Sequence, residues 1–279
     1  MNDKKPVKAY KNVDFLNSPE ARTIRILSEF LEPLSRFRKE KIKDTIVIFG
    51  SARILPKEVS KKNLEEVEKT YLKSKKISYK LKQKLENAKI DYEMSQYYED
   101  AYKLSYLLTK WSCSLKNDRH FIICTGGGPG IMEAANKGAF KAGGKSIGLN
   151  ISLPHEQGLN SYISKNLGFE FHYFFMRKFW FVYLAKGLIL FPGGFGTMDE
   201  LWEVLTLIQT KKVRKPLPII LYGRKYWNEI INFDSMVKYR TISPTDLKLI
   251  EYADTPEEAF EYLKKKLKNH YKKTCKREG

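Results

Sequence analysis

Apolar residues recur along the chain in two forms. The first is the short unbroken run: "TIVIFG" ending at Gly50, "HFIICT" ending at Thr125, "SIGLNI" ending at Ile151, "LILFP" ending at Pro192 and "LPIILY" ending at Tyr222. Such runs, bounded by glycine or proline, suit strands buried on both faces. "FEFHYF" and "LIEYAD" add two shorter candidates. The second form is helical spacing, in "PGIMEAANKGAFKAGG", "TMDELWEVLTLIQT", "KYWNEIINFDSMV" and "TPEEAFEYLKKKLKNHYKK". "MRKFWFVYLAKG" is apolar nearly all round. The forms alternate, which predicts an α/β architecture: a doubly wound, mostly parallel sheet with helices on both faces.

Upstream, Ser18 and Pro19 provide an N-cap and a first helical residue, and Ile24, Leu27, Leu31 and Leu34 follow at helical spacing. This predicts an N-terminal helix packed on the main domain. Between residues 57 and 91, Leu64, Val67, Tyr71, Leu81 and Leu85 mark one stripe in a segment dense in Lys and Glu. A helical hairpin or long helix inserted after the first strand is expected there, as a structural or interface element, with "DYEMSQYYEDAYKLSYLLTKWSCSL" continuing as an amphipathic helix. Thr255 and Pro256 open the last helix. The expected organisation is an N-terminal helical extension (1–40), one main α/β domain (41–270) with the insertion at 57–91, and a basic tail (271–279).

Two glycine loops each follow a strand and open a helix: "TGGGPGIME" (125–133) and "PGGFGTMDE" (192–200). Glycine lets the backbone approach a ligand closely, and a helix N-terminus presents unpaired N–H groups, which suits phosphate. Neither loop is a dinucleotide fingerprint, because GxGxxG would need glycine where Ile131 and Asp199 stand. "AGGKS" (142–146) imitates the end of a P-loop but lies between a helix and a strand, and reads as a glycine helix stop. Arg177 and Lys178 head the apolar helix, where cations oppose the dipole. They therefore point to an anionic partner, with Glu200 the candidate. Ser51 and Arg53 follow the first strand, again at a carboxyl end where ligands of open α/β sheets bind.

Composition narrows the class. The formal charge is +19 over 279 residues, with lysine concentrated in helices and at the C-terminus. Stacking aromatics do not interleave with arginine in those runs, so a solvated lysine surface is expected and nucleic acid is not expected as a partner. No apolar run is long enough to cross a bilayer, no secretory signal is evident, and no membrane partner is expected. The three cysteines are far apart with no CxxC, which argues against a disulfide framework or zinc site and for a reducing cytoplasm.

In their order along the chain, these segments resemble the LOG (lonely guy) family of cytokinin riboside 5'-monophosphate phosphoribohydrolases and their bacterial nucleotide-nucleosidase relatives. Proteins of this family also carry a lysine decarboxylase label. The family motif PGGxGTxxE is matched by Pro192, Gly193, Gly194, Gly196, Thr197 and Glu200. The preceding RK pair is matched by Arg177 and Lys178, and GGGPGIMEAAN by residues 126–136. "LPHEQGLN" (153–160) and "FGSAR" fit the longer bacterial members. Plant-type members carry His where Phe175 stands, which favours a general monophosphate such as AMP over a cytokinin nucleotide.

The resemblance implies a Rossmann-like fold, a homodimer or higher homo-oligomer, no cofactor, and metal-independent hydrolysis of an N-glycosidic bond to free base and ribose 5-phosphate. It implies that Gly193, Gly194, Gly196 and Thr197 hold the 5'-phosphate, and that Glu200 serves the oxocarbenium-like transition state with Arg177 beside it. Gly127, Gly128, Glu133, Lys178, Ser51 and Arg53 would complete the substrate site, with Met176 toward the base. Asp199 is expected to be only a helix-start charge. The alternatives are a nucleotide- or cofactor-binding protein without turnover, which would not need the Glu200 carboxylate, and a nucleic-acid-binding protein.

Overall fold

The computed structural model describes residues 6–115, 120–152 and 158–275. The first five residues of "LPHEQGLN" and the end of the basic tail lie outside the described residues.

A short helix α1 (Val13–Asn17) and a 3-10 turn lead into α2 (Arg22–Lys39). Then follow β1 (Asp44–Phe49), α3 (Lys57–Lys73), α4 (Tyr79–Met94), α5 (Gln96–Cys113), β2 (Phe121–Thr125), α6 (Ile131–Lys141), β3 (Ser146–Ile151) and β4 (Gly168–Phe171). The second half comprises α7 (Phe174–Tyr183), β5 (Ala185–Leu190), α8 (Phe195–Gln209), β6 (Ile219–Tyr222), α9 (Arg224–Ile230), α10 (Phe233–Lys238), β7 (Ile250–Ala253) and α11 (Pro256–Cys275). The seven strands form one sheet, in the order β4-β3-β2-β1-β5-β6-β7. Every pair is parallel. The fold is α/β and Rossmann-like.

The apolar runs read as two-faced strands because both faces are covered. Val47, Cys124, Leu149, Leu188, Leu190 and Leu221 enter one core with Phe37, Trp180, Phe181 and Trp227. Their neighbours Ile46, Ile48, Ile123, Ile189 and Ile220 enter the other, against Leu104, Leu108, Ala134, Ala135 and Leu263. Side chains on a strand alternate between faces, so an unbroken apolar run is what two covered faces require.

The N-terminal helix packs as expected, but on a different stripe. Ile24, Leu27 and Leu31 are exposed, while Ile26, Phe30, Leu34 and Phe37 face the core. Both sets have helical spacing; the packed one carries aromatic rings that meet Trp180. Glu29 fastens the contact, accepting bonds from the N–H groups of His172 and Tyr173 at the start of α7 (2.7 and 3.2 Å).

Two other boundaries differ from the periodicity, while the insertion and the AGGKS stop follow it. The helix expected to continue through residue 95 breaks there between α4 and α5, and the buried Ser95 hydroxyl donates to the Tyr92 carbonyl. "KYWNEIINFDSMV" is two helices, because Asn232 leaves the helical path and its side chain caps α10 at Ser235 N–H. The insertion is a hairpin, α3 and α4, closed at the stripe that includes Val67 and Ala88. "AGGKS" is a helix stop: Gly143 has φ +79°, and the Gly143 and Gly144 N–H groups return to the Phe140 and Ala139 carbonyls.

At the other end of the chain, Thr255 and Glu258 form a reciprocal cap. The Thr255 hydroxyl accepts from Glu258 N–H, and the Glu258 carboxylate accepts from Asp254 and Thr255 N–H. Thr255→Ala is expected to lower stability by about 1 kcal/mol, read from the urea midpoint at unchanged m-value.

Candidate active site

Three adjacent strands, β2, β1 and β5, end at the centre of the sheet, where the strand order changes direction. The loops beyond their carboxyl ends are laced by backbone bonds. Ser51 N–H donates to the Pro192 carbonyl (2.9 Å), and Ile131 N–H donates to the Ser51 carbonyl (3.1 Å). Gly130 sits at φ +69° against the backbone of Ser51 and Ala52. Ser51 also turns its own loop, its hydroxyl accepting from Arg53 N–H, while the Arg53 side chain is exposed.

Gly193 to Thr197 open α8. An added Cβ at Gly193 would run into the Thr197 side chain, whereas at Gly194 or Gly196 it would meet nothing within 4 Å. The first glycine is thus needed for packing, and the other two leave the helix N-terminus open to a ligand. The first N–H groups of a helix have no acceptor within it, so this opening presents donors and a positive dipole end. Tyr226 of α9 steadies the loop, its hydroxyl donating to the Gly193 carbonyl (2.8 Å). Phe195, at the loop tip, is 95% exposed.

The second loop is held from below by a buried amide network. The Thr125 hydroxyl bonds Asn136 Oδ1 (2.7 Å) and accepts from Gly127 N–H (2.9 Å). The Asn160 amide donates to the carbonyls of Gly127 and Gly128 and to Asn136 Oδ1. Gly127 sits at φ +79°. Asn136→Ala would leave Thr125 and Asn160 without their shared acceptor in a dry site. A loss of about 2–4 kcal/mol is expected by chemical denaturation.

Glu200 lies one turn into α8 and is 3% exposed. Its Oε1 is 3.9 Å from Arg177 Nη2, and its Oε2 accepts no hydrogen bond among the described residues. Burial pushes the Glu200 pKa up to about 7, although Arg177 and Lys178 pull it down. The same burial lowers the Arg177 pKa, opposed by Glu200 and Asp199. Arg177 lies between the rings of Phe174 and Phe181, at 5.1 and 5.6 Å from their centroids, and its Nε has no partner among the described residues. This is a charge pair with hydrogen-bonding capacity left over, in a place where leaving it unused is costly.

Lys178 turns away from this pair. It meets Asp199 at 2.7 Å and Glu203 at 3.0 Å, and these acids hold its ammonium form above the usual lysine range despite some desolvation. Asp199 is therefore not a helix-start charge: it lies in the second turn of α8 and fastens α8 to α7 through Lys178. Glu133 does stand in the first turn of its helix and accepts from the Tyr98 hydroxyl (3.2 Å). Met176 is packed in the core at 7% exposure, among the residues around Trp180. Tyr98, Asn136, Asn160, Glu203 and Tyr226 carry the site without having been singled out by the sequence reading. Asn136 alone left a local signal, an amide on the alanine-lined face of a helix. Among the described residues no three of His, Cys, Asp and Glu gather as a metal site would need, and no helix is long and apolar enough to cross a membrane.

Comparison with known proteins follows the same segments. A family model described as "Possible lysine decarboxylase" matches residues 132–263. A probable cytokinin riboside 5'-monophosphate phosphoribohydrolase of Oryza sativa subsp. japonica is 28% identical over 145 residues, 51% of this chain and 56% of the rice protein. A cytokinin riboside 5'-monophosphate phosphoribohydrolase of Arabidopsis thaliana is 28% identical over 159 residues, 56% of this chain and 73% of the relative. A pyrimidine/purine nucleotide 5'-monophosphate nucleosidase of Escherichia coli (strain K12) is 34% identical over 119 residues, 38% of this chain and 25% of the relative. The chain thus spans little more than half the length of the rice relative and a quarter of the bacterial one. The family-model match at residues 132–263 takes in Arg177, Lys178, the glycine loop that opens α8 and Glu200.

Proposed function

We propose that the chain hydrolyses the N-glycosidic bond of a nucleoside 5'-monophosphate, AMP or a close analogue, releasing free base and ribose 5-phosphate. One observation carries the reading. A buried carboxylate with an unused oxygen, Glu200, faces the partly buried Arg177 guanidinium in the second turn of a helix whose glycine-lined N-terminus is open. A phosphate at that N-terminus would place the sugar over Glu200, so that binding energy from the phosphate orients the reacting carbon. In the reaction the bond from the anomeric carbon to the base nitrogen breaks, its electron pair leaves with the base, and the base takes up a proton from solvent. Glu200, ionised, stabilises the positive charge left on the sugar and accepts a proton from the attacking water. Arg177 keeps the carboxylate charged and in place. Glu133, fixed by Tyr98, is suited to receive a sugar hydroxyl.

The relatives named as phosphoribohydrolases and nucleosidases support this chemistry. A Schiff-base amine, as a lysine decarboxylase would use, needs a neutral lysine. Lys178, the lysine at the site, has its charged form favoured by two carboxylates. A screen of monophosphates against their nucleosides tests the proposal by chromatography of the products. Base release from monophosphates, and at least about a hundredfold slower release from nucleosides, is expected. Equal rates would remove the phosphate from its role, and no release from any monophosphate would leave the site a binding site only.

The same reading includes a homodimer. Ile24, Leu27 and Leu31 of α2 and Phe175, Phe179 and Tyr183 of α7 are exposed. The two helices adjoin where Phe30 meets Phe179. An apolar face of this kind, on the helix that carries Arg177, fits a second copy of the chain. Sedimentation velocity is expected to show a dimer that Leu27→Glu with Phe179→Glu converts to monomer; a wild-type monomer would contradict it.

A further inference from the structure

The tip of the α3–α4 hairpin combines lysine with exposed apolar residues. Residues 69–84 contain seven lysines, at 69, 73, 75, 76, 80, 82 and 84, and no Asp or Glu. All seven are exposed, and none is in an ion pair among the described residues. The acids of the two helices, including Glu58, Glu65, Glu66, Glu68, Glu86, Asp91 and Glu93, lie toward the base of the hairpin. Charge is therefore segregated along its length, with the lysines gathered toward the turn between α3 and α4.

Apolar side chains share that end. Leu72 is 83% exposed, Tyr79 81% and Ile77 49%. The hairpin does not use them for its own packing, which runs through Leu64, Val67, Tyr71, Leu81, Leu85 and Ala88. A solvated lysine face accounts for the cations but gives no reason for three bare apolar side chains among them. A nucleic acid would draw on the charge, yet the tip has no arginine and only one exposed aromatic ring, and Leu72 and Ile77 would stay in water.

From this pairing of lysine and exposed apolar groups we infer that the hairpin tip docks on an anionic lipid bilayer surface. Leu72, Ile77 and Tyr79 enter the boundary between headgroups and acyl chains, and the lysines remain at phosphate level on their long stems. The hairpin packs on α5, on the sheet face opposite α2 and α7, so the proposed dimer surface stays clear. The inference does not depend on the catalytic proposal.

The test is co-sedimentation of the full chain with vesicles of phosphatidylcholine, with and without about one third phosphatidylserine, at about 0.1 M salt. Binding is expected only to the anionic vesicles. Replacing Lys73, Lys75, Lys76 and Lys80 by Glu is expected to weaken it at least ~100-fold. Replacing Leu72, Ile77 and Tyr79 by Ser, with every lysine kept, is expected to weaken it about tenfold or more. Circular dichroism of both variants, whose changes are all at exposed positions, checks that the hairpin is intact. No binding to anionic vesicles, or binding unaffected by the serine substitutions, would overturn the proposal. So would binding to duplex DNA as tight as to vesicles that the serine variant keeps in full, because the tip would then be a nucleic-acid site.

Discussion

Glu200→Gln is expected to be more stable than the wild type above pH 7 and about a thousandfold slower in turnover. The two effects have one cause. Burial raises the pKa of Glu200 in the folded protein to about 7, whereas in the unfolded chain it takes an ordinary carboxylate value near 4.5. The folded state therefore holds its proton more tightly than the unfolded state. Stability is undiminished below about pH 4.5, falls as the pH rises through the interval to 7, and stays low above it. The cost of the buried charge at pH 8 is on the order of 1–3 kcal/mol, and glutamine, isosteric and neutral, does not incur it. The difference between variant and wild type should shrink toward zero at pH 4, which separates this cause from a change in packing. The lost rate reflects the loss of charge stabilisation in the transition state. Nucleotide binding, which rests on the glycine loop, should change little. Thermal melts at pH 4 and pH 8 read the first effect and steady-state kinetics the second. A destabilised variant at pH 8 would mean that Arg177 depends on the Glu200 charge more than Glu200 is penalised by burial.

Gly130→Ala is expected to be the most damaging single methyl in the molecule. Gly130 combines a positive φ of +69° with backbone neighbours that cannot yield: an added Cβ would lie 2.7 Å from the Ala52 carbonyl carbon and 2.8 Å from its Cα, with the Ser51 carbonyl oxygen closer still. Conformational strain contributes about 1 kcal/mol and the clash 1–3 kcal/mol more. The damage also spreads, because the Ile131 N–H to Ser51 carbonyl bond and the Ser51 N–H to Pro192 carbonyl bond join all three loops of the site. The variant should lose about 3 kcal/mol or more by denaturation, and the protein that remains folded should bind nucleotide weakly. Gly143→Ala is the control. It too has a positive φ, +79°, but nothing lies within 4 Å of an added Cβ, so it should lose only the strain. Equal losses in the two variants would refute the idea that the loops are locked by contact.

The sequence made visible whatever is local. Strands showed as apolar runs because both faces of the sheet are covered, and "PGGFGTMDE" showed as a glycine-opened helix start because its glycines and carboxylate lie on one short stretch of chain. Arg177 and Lys178 were legible as a pair because cations at a helix start need an explanation. Their division of labour was not. Only the packing of α7 on α8 decides that Arg177 faces Glu200 while Lys178 takes Asp199 and Glu203. The supports of the loops were hidden for the same reason. Tyr98 reaches Glu133 across 35 residues, Tyr226 reaches Gly193 across 33, and Asn160 reaches Gly127 across 33. No periodicity encodes such pairs. On α2 the spacing picked Ile24, Leu27, Leu31 and Leu34, of which Leu34 packs on the core and the other three are exposed. Spacing alone cannot choose between stripes when both are apolar; the fit of Phe30 and Phe37 against Trp180 does.

The central claim is that Glu200 and the glycine-opened helix together cut the bond between base and ribose of a bound monophosphate. The most direct measurement follows AMP incubated with wild-type protein and with Glu200→Gln, both at concentrations where calorimetry shows AMP bound. Adenine and ribose 5-phosphate should appear in equal amounts with the wild type and about a thousandfold more slowly with the variant. Phosphate and adenosine as products, or full-rate adenine release by the variant, would contradict the account.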